Sequence, residues 1–155
     1  MAIELKWHNH ITLQDGDSDN LIFRMPKIEN NFDFYGVYMF CRIFGKGLIP
    51  LYIGKSDNVG QRLEQHLKHN VKLMKSIEKA TNGKKVVVVG EFIPKQGQDK
   101  SKTIMSIEKH LIEAAQAKGC ELFNIKGAKY PTDIIQCFGY QKAKNLFGKN
   151  IRFRK

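Results

Sequence analysis

Two runs of aromatic and β-branched residues, joined by a glycine-rich connection, constrain the fold of this chain more than any other feature. The runs are residues 34–43 and 51–53, and Gly45-Lys46-Gly47 lies between them. Such side chains favour strands, and a short connection rich in glycine favours a hairpin. The pattern therefore predicts an antiparallel pair that brings Tyr38 and Tyr52 roughly opposite each other, with the exact register left open.

A helix is predicted directly after this hairpin. Residues 56–58 (Ser-Asp-Asn) supply capping side chains, and apolar residues recur at helical spacing over residues 59–80. Arg62 and His66 are one turn apart, so they share a face beside the apolar stripe. Next to two strand tyrosines, this basic face suits an oxyanion; in isolation it would be interpreted as a solvated edge.

The second half of the chain contributes a buried strand, a second long helix and one unusual acid. Residues 86–89 are four consecutive valines, which predicts the central strand of a small sheet. The helix is predicted over residues 103–119, and Glu108 falls on its apolar stripe. A carboxylate in that position needs a cation or a donor. A salt bridge and a metal ion both satisfy the need, and the residues alone favour the salt bridge.

Composition indicates a single domain of 155 residues without a membrane span or a secretion signal. No apolar run approaches the roughly 20 residues that a membrane helix requires. The three cysteines are far apart and lack the spacing of a zinc site or a disulfide framework, so a reducing cytoplasm is the expected location.

The charge balance points to a polyanionic partner. Lys and Arg number 26 and Asp and Glu number 15, so the net charge is +11. Nucleic acid is the default partner for such an excess, and a solubilising surface is the alternative. In the basic tail, residues 142–155, Phe147 and Phe153 lie between cations. The tail is expected either to contact phosphates and bases or to form a helix that covers the core.

Residues 1–33 and 128–155 are predicted to be extensions of the central region. In the first, Trp7, Ile11 and Leu13 alternate along a predicted strand, and residues 15–20 form a turn-favouring cluster before an apolar run. This arrangement predicts an N-terminal β-hairpin extension. The last segment is predicted to be a basic C-terminal extension of the same domain, 1–155.

The central region, about residues 34–127, resembles the GIY-YIG nuclease family. The resemblance is carried by an ordered set of residues: Gly36-Val37-Tyr38, Tyr52-Ile53-Gly54, Arg62, His66, Glu108 and Asn124. Val37 stands where the signature has Ile, which is a conservative difference. The resemblance implies an α+β fold with a small three-stranded antiparallel β-sheet flanked by helices. It also implies an endonuclease that hydrolyses phosphodiester bonds in DNA with one Mg²⁺ or Mn²⁺ ion.

Site roles follow from the resemblance and from the chemistry of the reaction. The expected catalytic residues are Tyr38, Tyr52, Arg62, His66 and Glu108, and the expected substrate-binding residues are Lys55 and Asn124. Tyr38 is the expected base, with its pKa lowered by the nearby cations Lys55, Arg62 and His66.

The remaining residues are expected to hold the substrate and the metal. Arg62 would form a fork on the scissile phosphate and Glu108 would bind the metal. Tyr52 would hold the phosphate or the nucleophile, His66 would bridge to water, and Asn124 would brace the site.

Two other functions are compatible with the sequence. One is a nucleic-acid-binding module that keeps the fold without catalysis, and it is disfavoured because every acid, base and cation position is filled. The other is a protein-interaction domain whose basic tail binds an acidic partner protein. Strand cleavage separates the first function from the endonuclease, and capture of a partner through the tail identifies the second.

Overall fold

A computed structural model describes residues 2–26, 32–80, 83–124 and 135–151 of the chain, which have an α+β fold as predicted. The strands are β1 Ile3–Trp7, β2 Ile11–Thr12, β3 Gln14–Ser18, β4 Leu21–Arg24, β5 Gly36–Phe44, β6 Gly47–Ser56, β7 Lys84–Ile93, β8 Ile135–Gly139 and β9 Asn150–Ile151. The helices are α1 Val59–His69, α2 Val71–Lys79, α3 Lys100–Ala117 and α4 Gln141–Phe147. None of these helices, in the ranges described, is long and apolar enough to cross a membrane.

The main sheet is larger than the three strands predicted. It contains seven strands in the order β6-β5-β7-β1-β8-β9, with β2 also paired to β7. All pairs are antiparallel except β1 with β8. The expected three-stranded antiparallel unit is present as β6-β5-β7. The prediction was wrong in size because Ile3, Leu5 and Trp7 are buried at alternate positions and bring β1 against β7.

Each face of the sheet is covered by helices and carries its own apolar cluster. On one face, α3 and α4 pack against side chains that include Leu5, Trp7 and Met39. On the other face, α1 and α2 pack against a cluster that includes Tyr38 and Phe40. Consecutive residues of β5 point to opposite faces, so the odd-numbered and even-numbered positions belong to different clusters. Tyr38 therefore lies under α1, and α3 lies beyond the sheet.

The N-terminal hairpin is present, but it forms from other residues than predicted. β3 and β4 pair with each other as a separate two-stranded sheet, and only residues 19–20 turn the chain. Residues 15–18, predicted to be part of the turn, are thus in a strand. Gly16 permits this pairing, because a Cβ there would lie 1.6 Å from the carbonyl oxygen of Leu21. A glycine that signals a turn in the sequence instead allows two backbones to approach closely.

The described part of the C-terminal segment is built into the core. β8 pairs in parallel with β1, and α4 follows it. Phe147 on α4 is 8% exposed, and its ring stacks on Trp7 with 5.9 Å between the ring centroids. The segment was predicted either to contact nucleic acid or to form a helix that covers the core. The buried position of Phe147 agrees with the second alternative, and its ring cannot stack on bases. Phe153 lies outside the described residues.

The single helix predicted over residues 59–80 is two helices, which meet at Asn70. The backbone N–H of Asn70 donates to the carbonyl of His66 at 3.0 Å and closes α1. The side chain of the same residue accepts a hydrogen bond from the Leu73 N–H at 3.3 Å and caps α2. Apolar periodicity runs through both helices and hides the break. Asparagine allows it because its side chain replaces a backbone partner.

Candidate active site

Tyr38 is at the centre of the candidate site, and its position depends on Gly54. In the β5–β6 register the two residues are directly paired, and the phenol ring crosses over the glycine. A Cβ at residue 54 would lie 2.3 Å from both Cζ and Oη of the tyrosine. The strand does not end at Gly54, since β6 continues to Ser56. The role of Gly54 is to let a phenol from β5 reach across the edge strand.

His66 on α1 holds the hydroxyl of Tyr38 from above the sheet. Its Nε2 lies 2.6 Å from Oη of Tyr38, and the two side chains are buried, with 2% and 1% exposed. The rings of Phe40 and Tyr52 lie edge-on to the imidazole at centroid distances of 5.8 and 5.6 Å. Burial, followed by the charge of Arg62, lowers the pKa of His66 to about 4. The imidazole is therefore neutral at pH 7.

The pKa of Tyr38 moves in the opposite direction to the prediction. Burial, with a further contribution from Tyr52, raises the pKa of the hydroxyl well above its usual range. Arg62 lies close enough for its charge to lower the pKa, but by less than burial raises it. The sequence suggested three cations beside the phenol. One of them, His66, is neutral. The loss of hydration on burial raises the pKa of Tyr38 by more than the charge of Arg62 lowers it.

Tyr52 and Arg62 complete the site on the α1 side. The rings of Tyr38 and Tyr52 stack with 6.4 Å between centroids, although Tyr52 pairs in register with Phe40 and not with Tyr38. Burial also raises the pKa of the Tyr52 hydroxyl. Arg62 is exposed, and its Nη1 donates to Oε1 of Gln65 at 3.2 Å. A guanidinium next to two phenols and open to solvent can contact an incoming anion.

Glu108 approaches the same strand from the other face of the sheet. It is half-buried on α3, and its negative charge raises the pKa of both Tyr38 and Tyr52. Burial raises the pKa of Glu108 itself, and the nearby charge of Lys55 opposes this. Because β6 is at the edge of the sheet, groups from both faces can meet beside it.

The salt bridge that the residues alone favoured for Glu108 is absent from the described part of the chain, where its carboxylate forms no hydrogen bond or ion pair. The half-buried acid is thus available for a cation. Within the described ranges there is no group of three or more His, Cys, Asp or Glu side chains that could enclose a metal ion. A metal site formed by the described residues would therefore have fewer than three such side chains as ligands.

Asn124 supports the edge strand from outside. Its Oδ1 accepts from the Ile53 N–H at 2.9 Å, and its Nδ2 donates to the Ile53 carbonyl at 2.6 Å. The preceding residue, Phe123, also donates its backbone N–H to the Leu51 carbonyl at 2.8 Å. These bonds satisfy backbone groups that an edge strand would otherwise expose. They agree with a bracing role and occupy the amide that was also predicted to bind substrate.

One residue next to the site was not predicted. Asn70 contacts the imidazole of His66 through its side chain, with 3.1 Å between its Nδ2 and Nδ1 of the ring. The sequence offered a weak signal, because Asn70 is one turn after His66 and is a residue type that favours helix ends. Continuous apolar spacing through residues 59–80 concealed it.

Comparison with known proteins identifies the family. No curated protein and no solved structure matches the chain significantly. The family model of the GIY-YIG catalytic domain, in contrast, matches residues 34–121, which include β5, β6, α1, β7 and α3. This match covers more than half of the chain, and it contains Tyr38, Arg62 and Glu108. The chain therefore belongs to the GIY-YIG family, whose catalytic domain is that of a nuclease.

Proposed function

We propose that the protein is a divalent-metal-dependent endonuclease that hydrolyses phosphodiester bonds in DNA. The observation that carries the proposal is that the charges of Arg62 and Glu108, from two other elements, both act on the hydroxyl of Tyr38, which lies over Gly54 of the edge strand β6. Hydrolysis of a phosphodiester needs an acceptor for the proton of water, positive charge at the phosphate and a Lewis acid at the leaving oxygen. A phenol, a guanidinium and a carboxylate that can hold a metal supply these three functions.

The residues around Glu108 fit Mg²⁺ or Mn²⁺. Mg²⁺ keeps several of its waters and binds through one or two carboxylates together with substrate phosphates, so one half-buried carboxylate is sufficient. When bound, the ion supplies positive charge to the phosphate and stabilises the leaving oxygen. Burial raises the pKa of the Glu108 carboxyl, and the charge of Lys55, the cation that acts on it most strongly, opposes this rise and favours the ionised form.

Tyr38 is the proposed proton acceptor, and its surroundings define when it can act. Burial keeps its hydroxyl protonated in the free protein, so the phenolate must form in the DNA complex, where the phenolic proton passes to solvent water. The positive charge of Arg62 acts on the oxygen and Nε2 of His66 lies 2.6 Å from it, and nearby positive charge favours the anionic form of a phenol. These groups hold the phenol of Tyr38 in place and stabilise its phenolate form.

The other residues position the substrate. Arg62 is exposed and its charge acts on the phenol, so it can contact the scissile phosphate beside Tyr38. Tyr52 stacks beside Tyr38 and offers a second hydroxyl to the phosphate or to the attacking water. His66 is hydrogen-bonded to the Tyr38 oxygen and so positions the group that accepts the proton of the attacking water. Asn124 braces β6 through its two side-chain hydrogen bonds to the backbone of Ile53.

DNA is the proposed substrate because of the charge of the protein. The net charge of +11 favours binding to a polyanion, and DNA carries a dense row of phosphates. The cytoplasm is the proposed location, and the three cysteines agree with a reducing compartment, since all of them are free.

Replacement of one carboxylate tests the proposal. Glu108→Gln keeps the shape of the side chain and removes its charge, so Mg²⁺-dependent nicking of duplex DNA should fall by roughly two to three orders of magnitude. Binding of Mn²⁺, measured by electron paramagnetic resonance, should weaken in the same variant. The matched control is Glu113→Gln on the same helix, which should leave nicking and Mn²⁺ binding unchanged. Full nicking by Glu108→Gln would refute the metal assignment.

The wild-type protein separates the endonuclease from the alternatives. Salt-sensitive DNA binding with no strand cleavage in Mg²⁺ or Mn²⁺ would indicate a non-catalytic binding module. Neither binding nor cleavage, together with capture of an acidic protein, would indicate an interaction module. Removal of residues 141–155 is unsuitable for this test because Phe147 is part of the core. Lys142→Gln with Lys144→Gln changes the charge of α4 and keeps that packing.

A further inference from the structure

We infer that Asn70 sets the tautomer of His66, so that the imidazole donates its Nε2–H to the Tyr38 oxygen and does not accept the phenolic proton. Asn70 would then be a positioning residue that acts on the phenol through His66. The consequence for catalysis rests on the proposed nuclease function. The tautomer itself does not.

The orientation of the Asn70 amide follows from the helix that it caps. Its Oδ1 accepts the backbone N–H of Leu73 at 3.3 Å, as expected for the residue before the first turn of α2. The amide oxygen is therefore on the side of α2, and the amide nitrogen is on the side of α1. Nδ2 of Asn70 lies 3.1 Å from Nδ1 of His66. An exchange of the two amide atoms would lose the cap, because NH₂ cannot accept from a backbone N–H.

The amide nitrogen can only donate, so Nδ1 of His66 must accept. A neutral imidazole has one donor nitrogen and one acceptor nitrogen, which places its proton on Nε2. The ring is neutral because it is only 2% exposed, and burial disfavours an imidazolium. The charge of Arg62 disfavours it further, and the neighbouring rings of Tyr38 and Tyr52 supply no counter-ion. At a distance of 2.6 Å, Nε2–H then donates to Oη of Tyr38.

This polarity decides where the proton of Tyr38 points. The phenolic oxygen already accepts from His66, so its own O–H turns away from the imidazole. His66 keeps its proton when Tyr38 is a phenol and when it is a phenolate, and it donates a hydrogen bond to both forms. With the opposite tautomer, Nε2 would accept the phenolic O–H, and this hydrogen bond would stabilise the neutral phenol.

A second buried histidine has the opposite arrangement and serves as an internal reference. His110 on α3 is 0% exposed, and its Nδ1 lies 2.7 Å from the backbone carbonyl oxygen of Ser106. A carbonyl only accepts, so this ring carries a proton on Nδ1. The two buried histidines should therefore differ at Nδ1, which carries a proton in His110 and none in His66, and a single spectrum can resolve this difference.

Long-range ¹H–¹⁵N correlation spectra of ¹⁵N-histidine-labelled protein at pH 7 test the tautomer. His66→Gln and His110→Gln assign the two ring spin systems. We expect the wild-type His66 ring to carry its proton on Nε2 and the His110 ring on Nδ1. A wild-type His66 ring protonated on Nδ1 would overturn the inference, whether or not the protein cuts DNA.

Two variants test the role of Asn70. Asn70→Asp keeps an oxygen that caps α2 and replaces the amide donor with a second acceptor, so Nδ1 of His66 should become protonated. Asn70→Ser keeps a capping oxygen and removes the donor, so it should leave a mixture of tautomers. The His110 signals should not change in either variant. Unchanged His66 signals in folded Asn70→Asp would overturn the inference.

Activity is the second readout. Residues that orient a histidine from behind typically contribute about 10-fold to 100-fold, so Asn70→Asp should lower kcat for DNA cleavage by that factor with KM little changed. Asn70→Ser should show a smaller loss. Full kcat in an Asn70→Asp protein whose His66 tautomer has changed would refute the role in positioning. No cleavage by the wild-type protein would refute the proposed function, and the spectra would still decide the tautomer.

Discussion

The described part of the chain contains two tyrosine–histidine pairs with almost the same bond length and different surroundings. Oη of Tyr38 is 2.6 Å from Nε2 of His66, and Oη of Tyr140 is 2.7 Å from Nδ1 of His10. The first pair is buried, whereas both members of the second are partly exposed. Arg62 and Glu108 both act on the first pair. The charges that lower the pKa of His10, after burial, are Lys84 and Lys142, both positive.

The comparison shows what distinguishes the proposed catalytic pair from a second phenol–imidazole hydrogen bond of similar length. The Tyr38 pair lies beside the edge strand β6, and the charges of a guanidinium and of an acid both act on its phenol. The Tyr140 pair has cations on its imidazole and no carboxylate described beside it. Both signs of charge around a buried phenol are what a phosphodiesterase needs.

The largest expected effect on DNA cleavage comes from removal of the Tyr38 hydroxyl, and removal of the Tyr140 hydroxyl is the control. Tyr38→Phe should lower DNA cleavage by ~10²–10⁴-fold, the usual contribution of a group that transfers a proton. Tyr140→Phe removes the matching oxygen from the other pair and should leave the rate unchanged. Single-turnover cleavage of labelled duplex DNA measures both, and circular dichroism checks the fold. Equal rates in the two variants would mean that the pairs are chemically equivalent.

Acid should destabilise the protein mainly through the buried pair. The pKa of His66 is about 4 in the folded protein and 6.5 in the unfolded chain, so the unfolded chain takes up a proton first as the pH falls. Stability is therefore full above pH 6.5 and is lost as the pH falls toward 4, by up to about 3 kcal/mol. Urea unfolding at pH 7.5, 6 and 5 measures this loss.

The same measurement on two variants assigns the loss to one histidine. His66→Gln should flatten the dependence of the unfolding free energy on pH. His10→Gln should change it less, because that imidazole is only partly buried, so its charged form is penalised less. A His66→Gln protein with the wild-type pH dependence would contradict the assignment.

The last expected effect on stability concerns the glycine under Tyr38. Gly54→Ala forces a methyl group into the phenol ring, so it should destabilise the fold by about 1–3 kcal/mol and displace Tyr38 from His66. Gly47→Ala on the same strand meets only the carbonyl oxygen of Phe44 at 3.4 Å. It should change stability by less than about 0.5 kcal/mol. Thermal unfolding compares the two, and the Tyr38 ring signals report the displacement. Equal stability would show that the ring can move at no cost.

Local patterns predicted much of the candidate site. The hairpin, the helix beginning at residue 59 and the buried valine strand follow from propensity, capping and periodicity, which act over a few residues. Asn58 caps α1 as its position suggested, with its side chain accepting from the Gln61 N–H at 3.0 Å. The break at Asn70 was missed because hydrophobic spacing continues across it, and a side-chain cap is visible only when its partners are placed.

The sequence by itself determined which chemical groups are present and in what order, and with them the family. Only the tertiary structure decided how those groups ionise and how the sheet is completed. Burial keeps His66 neutral and Tyr38 protonated, and burial is a property of everything packed around a group, including residues far away in the chain. In the same way, β8 reaches β1 across most of the sequence, and no local pattern specifies such a long-range pair.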